Sequence, residues 1–249
     1  MAITVTSLGT QTAGNTTKSI TVTNASEDAI LLVATALMSN TNNEPGNLVY
    51  WGDNFGAAVA NVNHAGSQSS TDLTSLSASI ITNPSPGTAN ITNMWGAYGP
   101  WIVLEVAGVD FADLIDETAT GTATGVASKT LAITTTVDGC EIIHISNPFT
   151  DTTVGTASAP SGYTLADSIT TGSATIGAIG ISHINKATAG AISTPAVSWS
   201  GLSAGSADFR VINISLTPGT GYPASGSGFT GSEDIFSLPN HSQILGGDL

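Results

Sequence analysis

Two short motifs in this sequence match loops that catalyse reactions or bind cofactors in other proteins. Residues 201–205 read GLSAG and fit G-x-S-x-G, in which a serine on a strained strand-to-helix turn is the nucleophile. Residues 226–231 read GSGFTG and fit G-x-G-x-x-G, in which a helix N-terminus binds a pyrophosphate. Both chemistries need a helix directly after the loop. The first loop is instead followed by a predicted strand from Phe209, and the second lies in a Gly/Ser-rich connector. We therefore predict a turn, a linker and no catalytic residue.

An acidic run could bind a hard cation. Its four carboxylates are Asp110, Asp113, Asp116 and Glu117. Ca²⁺ takes several oxygen ligands, and loops between strands can supply them. The spacing fits no EF-hand, because the position that requires glycine holds Ile115. We expect a solvated acidic loop and predict no metal ligands, with calcium binding as the alternative.

The other candidates for acid–base or nucleophilic chemistry are isolated side chains. The four histidines, at positions 64, 144, 183 and 241, include no pair within four residues, so zinc-ligand spacing is missing. Cys140 and His144 share one face of a predicted strand but are poorly placed as a nucleophile–base pair. Glu105 alternates with apolar neighbours, which predicts an exposed strand face. We expect these residues to be packed or on the surface, and we predict no cofactor.

Three aromatic residues crowd one loop: Trp95, Tyr98 and Trp101. Exposed rings of this kind can stack on sugar rings in carbohydrate-binding sandwiches. Large aromatic side chains at the end of a sandwich also cap its core or anchor a protein interface. We favour a core or interface role and keep glycan binding as an alternative.

The charge composition restricts the partners. Among 249 residues only four are Lys or Arg and eighteen are Asp or Glu, which gives a net charge of −14. Nucleic acids and anionic membranes bind clustered basic residues, so neither is an expected partner. A single cysteine excludes an intramolecular disulfide. We predict no signal peptide, because residues 1–5 lack a basic segment and a continuous apolar run, and no transmembrane segment, because the longest apolar run covers only residues 29–38.

Strand signals recur along the chain, with turn clusters between them. Residues 19–23 alternate between polar and apolar, and residues 29–34 are apolar on both faces, as in a central strand. The one plausible helical turn lies at residues 111–115. About a dozen short strands separated by turns predict an all-β, antiparallel β-sandwich.

An internal echo supports one large domain. Four strands in each half resemble each other in order and character, at residues 30–34, 49–51, 89–92 and 101–106 and at residues 142–145, 162–165, 195–199 and 209–214. Two similar four-strand halves are what a jelly roll made from two Greek keys would show. We interpret residues 1–218 as this one domain.

The composition changes in the last part of the chain, residues 219–249. A flexible Gly/Ser-rich connector is followed by a polar tail with six large apolar residues: Phe229, Ile235, Phe236, Leu238, Ile244 and Leu245. We expect an extended C-terminal arm whose apolar residues bind either their own sandwich or a neighbouring subunit.

The strand segments 30–34, 48–52 and 101–109, together with their second-half echo, resemble the jelly-roll or concanavalin-like surface proteins of tailed bacteriophage virions. This resemblance covers about residues 15–217. It implies a non-enzymatic virion structural protein of the capsid-decoration or cement type. Such a protein would be made in the host cytoplasm, form homo-oligomers such as trimers and bind virion proteins such as the major capsid protein. The main alternative is a carbohydrate- or receptor-binding module of a tail or fibre, and a hydrolase with a carboxylate pair ranks third.

Overall fold

A computed structural model describes residues 2–12, 17–22, 29–39, 50–51, 59–68, 73–82, 87–93, 100–150, 154–170, 178–202 and 207–219. All strand pairs in these residues are antiparallel, and none of these residues is helical, so the predicted all-β class is confirmed. In this part of the chain, no helix has the length and apolarity needed to cross a membrane.

The strands fall into two consecutive sets. The described residues of the first half form β1 (Thr4–Gln11), β2 (Thr17–Val22), β3 (Ala29–Ser39), β4 (Tyr50–Trp51), β5 (Val59–Gln68), β6 (Leu73–Thr82), β7 (Gly87–Asn93) and β8 (Trp101–Ala107). Those of the second half form β9 (Ile115–Val126), β10 (Thr130–Thr135), β11 (Cys140–Phe149), β12 (Ala157–Ser158), β13 (Thr164–Thr170), β14 (Ala178–Lys186), β15 (Gly190–Pro195), β16 (Ser198–Trp199) and β17 (Ala207–Leu216).

Both halves have the same strand order. The first half has a five-stranded sheet in the order β1-β8-β3-β6-β5, and the second has β9-β17-β11-β14-β13. The smaller sheet β2-β7-β4 corresponds to the pairs β10-β15 and β12-β16. The echo in the sequence therefore reflects a repeated unit, which has eight strands in the first half rather than four.

The two five-stranded sheets pack against each other across a shared apolar core. Leu32 and Leu104 of the first half lie in one buried cluster with Ile145, Ile181 and Ile212 of the second. The contacts are reciprocal: β1 contacts β13, and β5, the first-half counterpart of β13, contacts β9, the counterpart of β1. This reciprocity is the arrangement of an isologous dimer, here within one chain.

Smaller sheets cover the outer face of each five-stranded sheet: β2-β7-β4 in the first half, and the pairs β10-β15 and β12-β16 in the second. In the first half, Ile20 and Val22 of β2 pack on Val33 and Trp101. In the second half, Val197 and Trp199 pack on Ala178. Each central strand is therefore buried on both faces, which explains why β8 is apolar at every position except Glu105 and why six of its seven residues are buried.

The two halves also meet where β8 and β17 end. Val109 and Pro218 form an antiparallel bridge, and Gly219 N donates to Gly108 O at 2.8 Å. Asp110 N donates to Thr217 O at 2.9 Å. The predicted helical turn at residues 111–115 is a turn that leads directly into β9.

Candidate functional site

A buried polar network connects the second five-stranded sheet to its cover. His144 on β11 and Asn213 on β17 are directly opposite each other, and both are fully buried. His144 Nδ1 lies 2.5 Å from Asn213 Oδ1. Asn213 Nδ2 donates to Thr194 Oγ1 on β15 at 2.6 Å and to the Leu131 carbonyl on β10 at 3.2 Å. Thr194 Oγ1 also donates to the Leu131 carbonyl at 2.6 Å.

The network determines the tautomer of His144. A backbone carbonyl only accepts, so the Asn213 amide must direct its NH₂ group toward Leu131 and its oxygen toward His144. His144 Nδ1 therefore carries the proton, and Nε2 carries the lone pair. Among the described residues, neither His144 Nε2 nor the hydroxyl of Ser182, directly opposite on β14, has a hydrogen-bond partner.

Burial lowers the pKa of His144 from its ordinary 6.5 to about 4, and the hydrogen bond with Asn213 opposes this shift in part. Removing the imidazole from water disfavours its charged form. His144 is therefore neutral at pH 7 and bound into the structure, and of the two predicted placements, packed or on the surface, the first is observed.

A second polar cluster lies on the opposite face of β11. His183 Nδ1 is 2.6 Å from Glu141 Oε1, and the side chains are 17% and 5% exposed. Asn185 Nδ2 donates to Gly139 O at 3.0 Å and to Glu141 Oε2 at 3.4 Å. Sequence alternation placed Glu141 and His144 on different faces, but it could not reveal these cross-strand partners.

Asp116 organises a third cluster at the start of β9. Its carboxylate accepts from Thr136 N at 3.0–3.1 Å, from the Thr136 hydroxyl and, at 3.3 Å, from Ser215 Oγ. Ser215 also hydrogen-bonds the buried thiol of Cys140. Burial is the main reason that the pKa of this thiol is raised. A buried protonated thiol is a poor nucleophile.

The acidic run is divided between a turn and a strand. Asp110 Oδ1 accepts from Ala112 N at 2.9 Å within the turn, whereas Asp116 and Glu117 lie on β9. The expectation of one solvated acidic loop was therefore wrong for the second part of the run. Within the described residues, which include all four carboxylates, no group of three or more His, Cys, Asp or Glu side chains could hold a metal ion.

Glu105 corrects another expectation. Its side chain was predicted on an exposed face, yet the residue is 1% exposed. It shares a face of β8 with Trp101 and Val103, which the smaller sheet of the first half covers. Alternation assigned the correct face, but the sequence did not indicate that a second sheet covers it.

The structure places one of the three candidate glycan-binding or interface aromatics. Trp101 is 1% exposed and belongs to the cluster that β2 covers, so its ring does not form an exposed platform. Trp95 and Tyr98 lie outside the described residues. So do the arm residues Phe229, Ile235, Phe236, Leu238, Ile244 and Leu245, the 226–231 motif and the serine of the 201–205 motif.

Comparison with known proteins gives no relative, since no protein family, no curated protein and no solved structure matches this chain. Function must therefore follow from the chemistry of the residues. In the second half, the polar residues His144, Asp116 and Glu141 all bond within the unit, and their arrangement stabilises strands and turns.

Sequence reasoning missed Asn213 and Thr194, the partners of His144. A signal for Asn213 was present, because this amide stands between Ile212 and Ile214 in a strongly apolar strand. A polar residue at a buried strand position needs a partner. Which strand supplies that partner depends on the sheet order, which the sequence did not provide.

Proposed function

We propose that this chain is a non-enzymatic structural protein that acts through its surfaces, as a bacteriophage capsid-decoration or cement protein does. The observation that carries the proposal is an uncharged outer face on the second half. It consists of the outward residues of β10 and β15, which are all exposed: Thr130, Ala132, Thr134, Ala191, Ser193 and Pro195.

These six residues form three directly opposed pairs, Thr130 with Pro195, Ala132 with Ser193 and Thr134 with Ala191. The neighbouring strand pair β12–β16 adds Ser158 opposite Ser198, and both are exposed. An ordinary soluble surface is about 25–35% charged. A strand surface of hydroxyls and small side chains without charge is instead suited to contact with another protein surface, since interface cores are depleted of charge.

The net charge favours this face as the place of contact between copies. Two chains that each carry −14 repel each other at most orientations. An uncharged face lets two copies approach without bringing carboxylates together or removing them from water. Homo-oligomers such as trimers, and contact with other virion proteins, are the assemblies that this proposal expects.

The strand order is compatible with the virion proposal at the level of fold. We propose that each half is a jelly roll, because its orders 1-8-3-6-5 and 2-7-4 contain the pairings 1-8-3-6 and 2-7-4 that two nested Greek keys produce, although here the fifth strand pairs with the sixth. Jelly rolls occur in viral capsid proteins and in lectins, so the fold is consistent with both leading hypotheses. The extended arm beyond residue 218 remains part of the proposal.

Sedimentation of the full chain tests the surface directly. We expect wild-type protein to self-associate and Ala132→Glu to weaken association by about tenfold or more, the equivalent of roughly 1.4 kcal/mol. The reason is that each contact would then bury or oppose two new carboxylates. Thr122→Glu adds the same charge at an exposed position of β9, outside the face, and should leave association nearly unchanged.

A monomer at all concentrations that also fails to bind virions would contradict the proposal. A monomer that binds glycans would favour the carbohydrate- or receptor-binding alternative. Because Trp101 is buried in the core, the glycan-binding surface of that alternative would have to consist of Trp95 and Tyr98. Turnover of a polysaccharide would contradict both readings and identify an enzyme.

A further inference from the structure

At equivalent positions of their five-stranded sheets, the two halves have different types of side chain. In the first half, Val33 on β3 lies opposite Val103 on β8 and Ser79 on β6. In the second half, His144 lies opposite Asn213 and Ser182 on the equivalent strands. The next row confirms this equivalence, because each half has a buried hydroxyl there, Thr35 and Ser146.

The repeated strand arrangement therefore does not require a histidine at this position. Val33 and Val103 fill the same layer in the first half with apolar contacts to the cover strand β2. In the second half, a polar series begins at the fully buried His144 and runs through Asn213 to Thr194 and the Leu131 carbonyl on the cover strands. The bonds of Asn213 connect β17 to both cover strands.

We propose that His144 and Asn213 form an acid-sensitive latch that fastens the cover strands β10 and β15 to the second five-stranded sheet. Protonation of His144 occurs at Nε2, which is buried and has no acceptor among the described residues. The Ser182 hydroxyl opposite can accept one hydrogen bond, but it carries no charge to balance an imidazolium. In the open state, the cover strands β10 and β15 have separated from the five-stranded sheet and water reaches the imidazolium. Acid therefore favours the open state over the closed state.

Other ionisable groups around this layer do not replace the missing counter-charge. Two carboxylates lie among them: Asp116, which is bonded to Thr136 and Ser215, and the exposed Glu117, which stands directly opposite Ser215 on β17. The Tyr163 hydroxyl donates to the Ser193 carbonyl. The ionisable groups on or beside this layer, on the strands packed around it, are Cys140, Asp116, Glu117, Lys129, Tyr163 and Lys186. Among the described residues, His144 bonds to Asn213 and to none of these groups.

The direction of the pH effect follows from linkage. Because the folded pKa of His144 is depressed to about 4 from 6.5, the open state binds the extra proton between these two pH values. The contribution of neutral His144 to the stability of the closed state is therefore complete above pH 6.5 and decreases as the pH falls below 6.5. The equilibrium constant for opening rises by about tenfold per pH unit in this window and levels off below pH 4.

Hydrogen exchange on the full chain tests the latch. After correction for intrinsic rates, amides of residues 130–135 and 190–195 should exchange at least tenfold faster at pH 4.5 than at pH 7. Amides of β8 in the first half, where the valine pair stands, should change much less. His144→Gln keeps an N–H donor for Asn213 and cannot be protonated, so it should abolish most of the acceleration. His183→Gln, which removes another histidine of the same half, should retain it.

Two results would overturn the latch. One is an acceleration in His144→Gln equal to that of the wild type. The other is a wild type in which the cover amides show no acid response. Because a variant can also fail to fold, ¹⁵N NMR of wild-type imidazoles provides a second measurement. The latch requires a neutral Nδ1–H tautomer that stays uncharged at pH 5.5, and a His144 that titrates near 6.5 contradicts it.

Discussion

Cys140 is the only thiol of the chain and lies fully buried at the start of β11, next to the hydroxyl of Ser215. Burial raises its pKa, so the reactive thiolate is scarce at neutral pH and reagents cannot reach it. We expect a disulfide-exchange reagent at pH 8 to label native protein at least about a hundredfold more slowly than protein in denaturant.

The absence of other cysteines makes this measurement simple, because every modified thiol reports on one position. Equal labelling rates in native and denatured protein would show that β11 opens freely at this end. Slow labelling that accelerates in mild urea would measure the free energy of that local opening.

At the scale of the element, one carboxylate determines how β9 connects to its neighbours. Asp116 accepts hydrogen bonds from Thr136, just after β10, and from Ser215 on β17. Replacing it leaves the Thr136 N–H without its acceptor. We expect Asp116→Ala to lower the free energy of unfolding by about 1–2 kcal/mol in urea denaturation.

Asp113→Ala is the matched control, because it removes an exposed carboxylate from the preceding turn. This control should change stability by less than about 0.5 kcal/mol. Equal effects of the two substitutions would mean that net charge, rather than the Asp116 hydrogen bonds, accounts for the loss.

The elements also show what could be predicted from sequence. The strand β8, Trp101–Ala107, was predicted from sequence because all of its residues except Glu105 are apolar. The strand β9 was missed because it alternates threonine with alanine and glycine, without large apolar residues. Its position at a sheet edge explains this composition, since an edge strand buries little side-chain surface.

The candidate network was less predictable than the strands. His144 was assigned correctly to a strand, either packed or on the surface, but Asn213 and Thr194 lie 69 and 50 residues further along the chain. Strand register and sheet order bring them together, and neither can be derived from local periodicity. The echo between the halves was visible in sequence, yet the number of strands in each half was not.

At the scale of the whole molecule, the shared core makes each half depend on the other. Each five-stranded sheet has one face under its own cover and one face against the opposite sheet. The Ser7 hydroxyl on β1 also donates to Asp167 on β13, so polar contact between the halves accompanies the apolar core. Separation of the halves would expose the inner faces of both sheets, which are rich in isoleucine and leucine.

The chain should therefore unfold as one cooperative unit despite its repeated architecture. We expect calorimetry to give one transition in which the van't Hoff and calorimetric enthalpies agree.

Ile145→Ala, a change in the second half, should lower the free energy of this single unfolding transition by about 2–4 kcal/mol, because Ile145 is fully buried in the shared core. Hydrogen exchange should show β3 and β8 of the first half losing protection together with β11. If β3 and β8 kept their protection while β11 lost it, the two halves would be independent units, and the shared core would contribute little to their coupling.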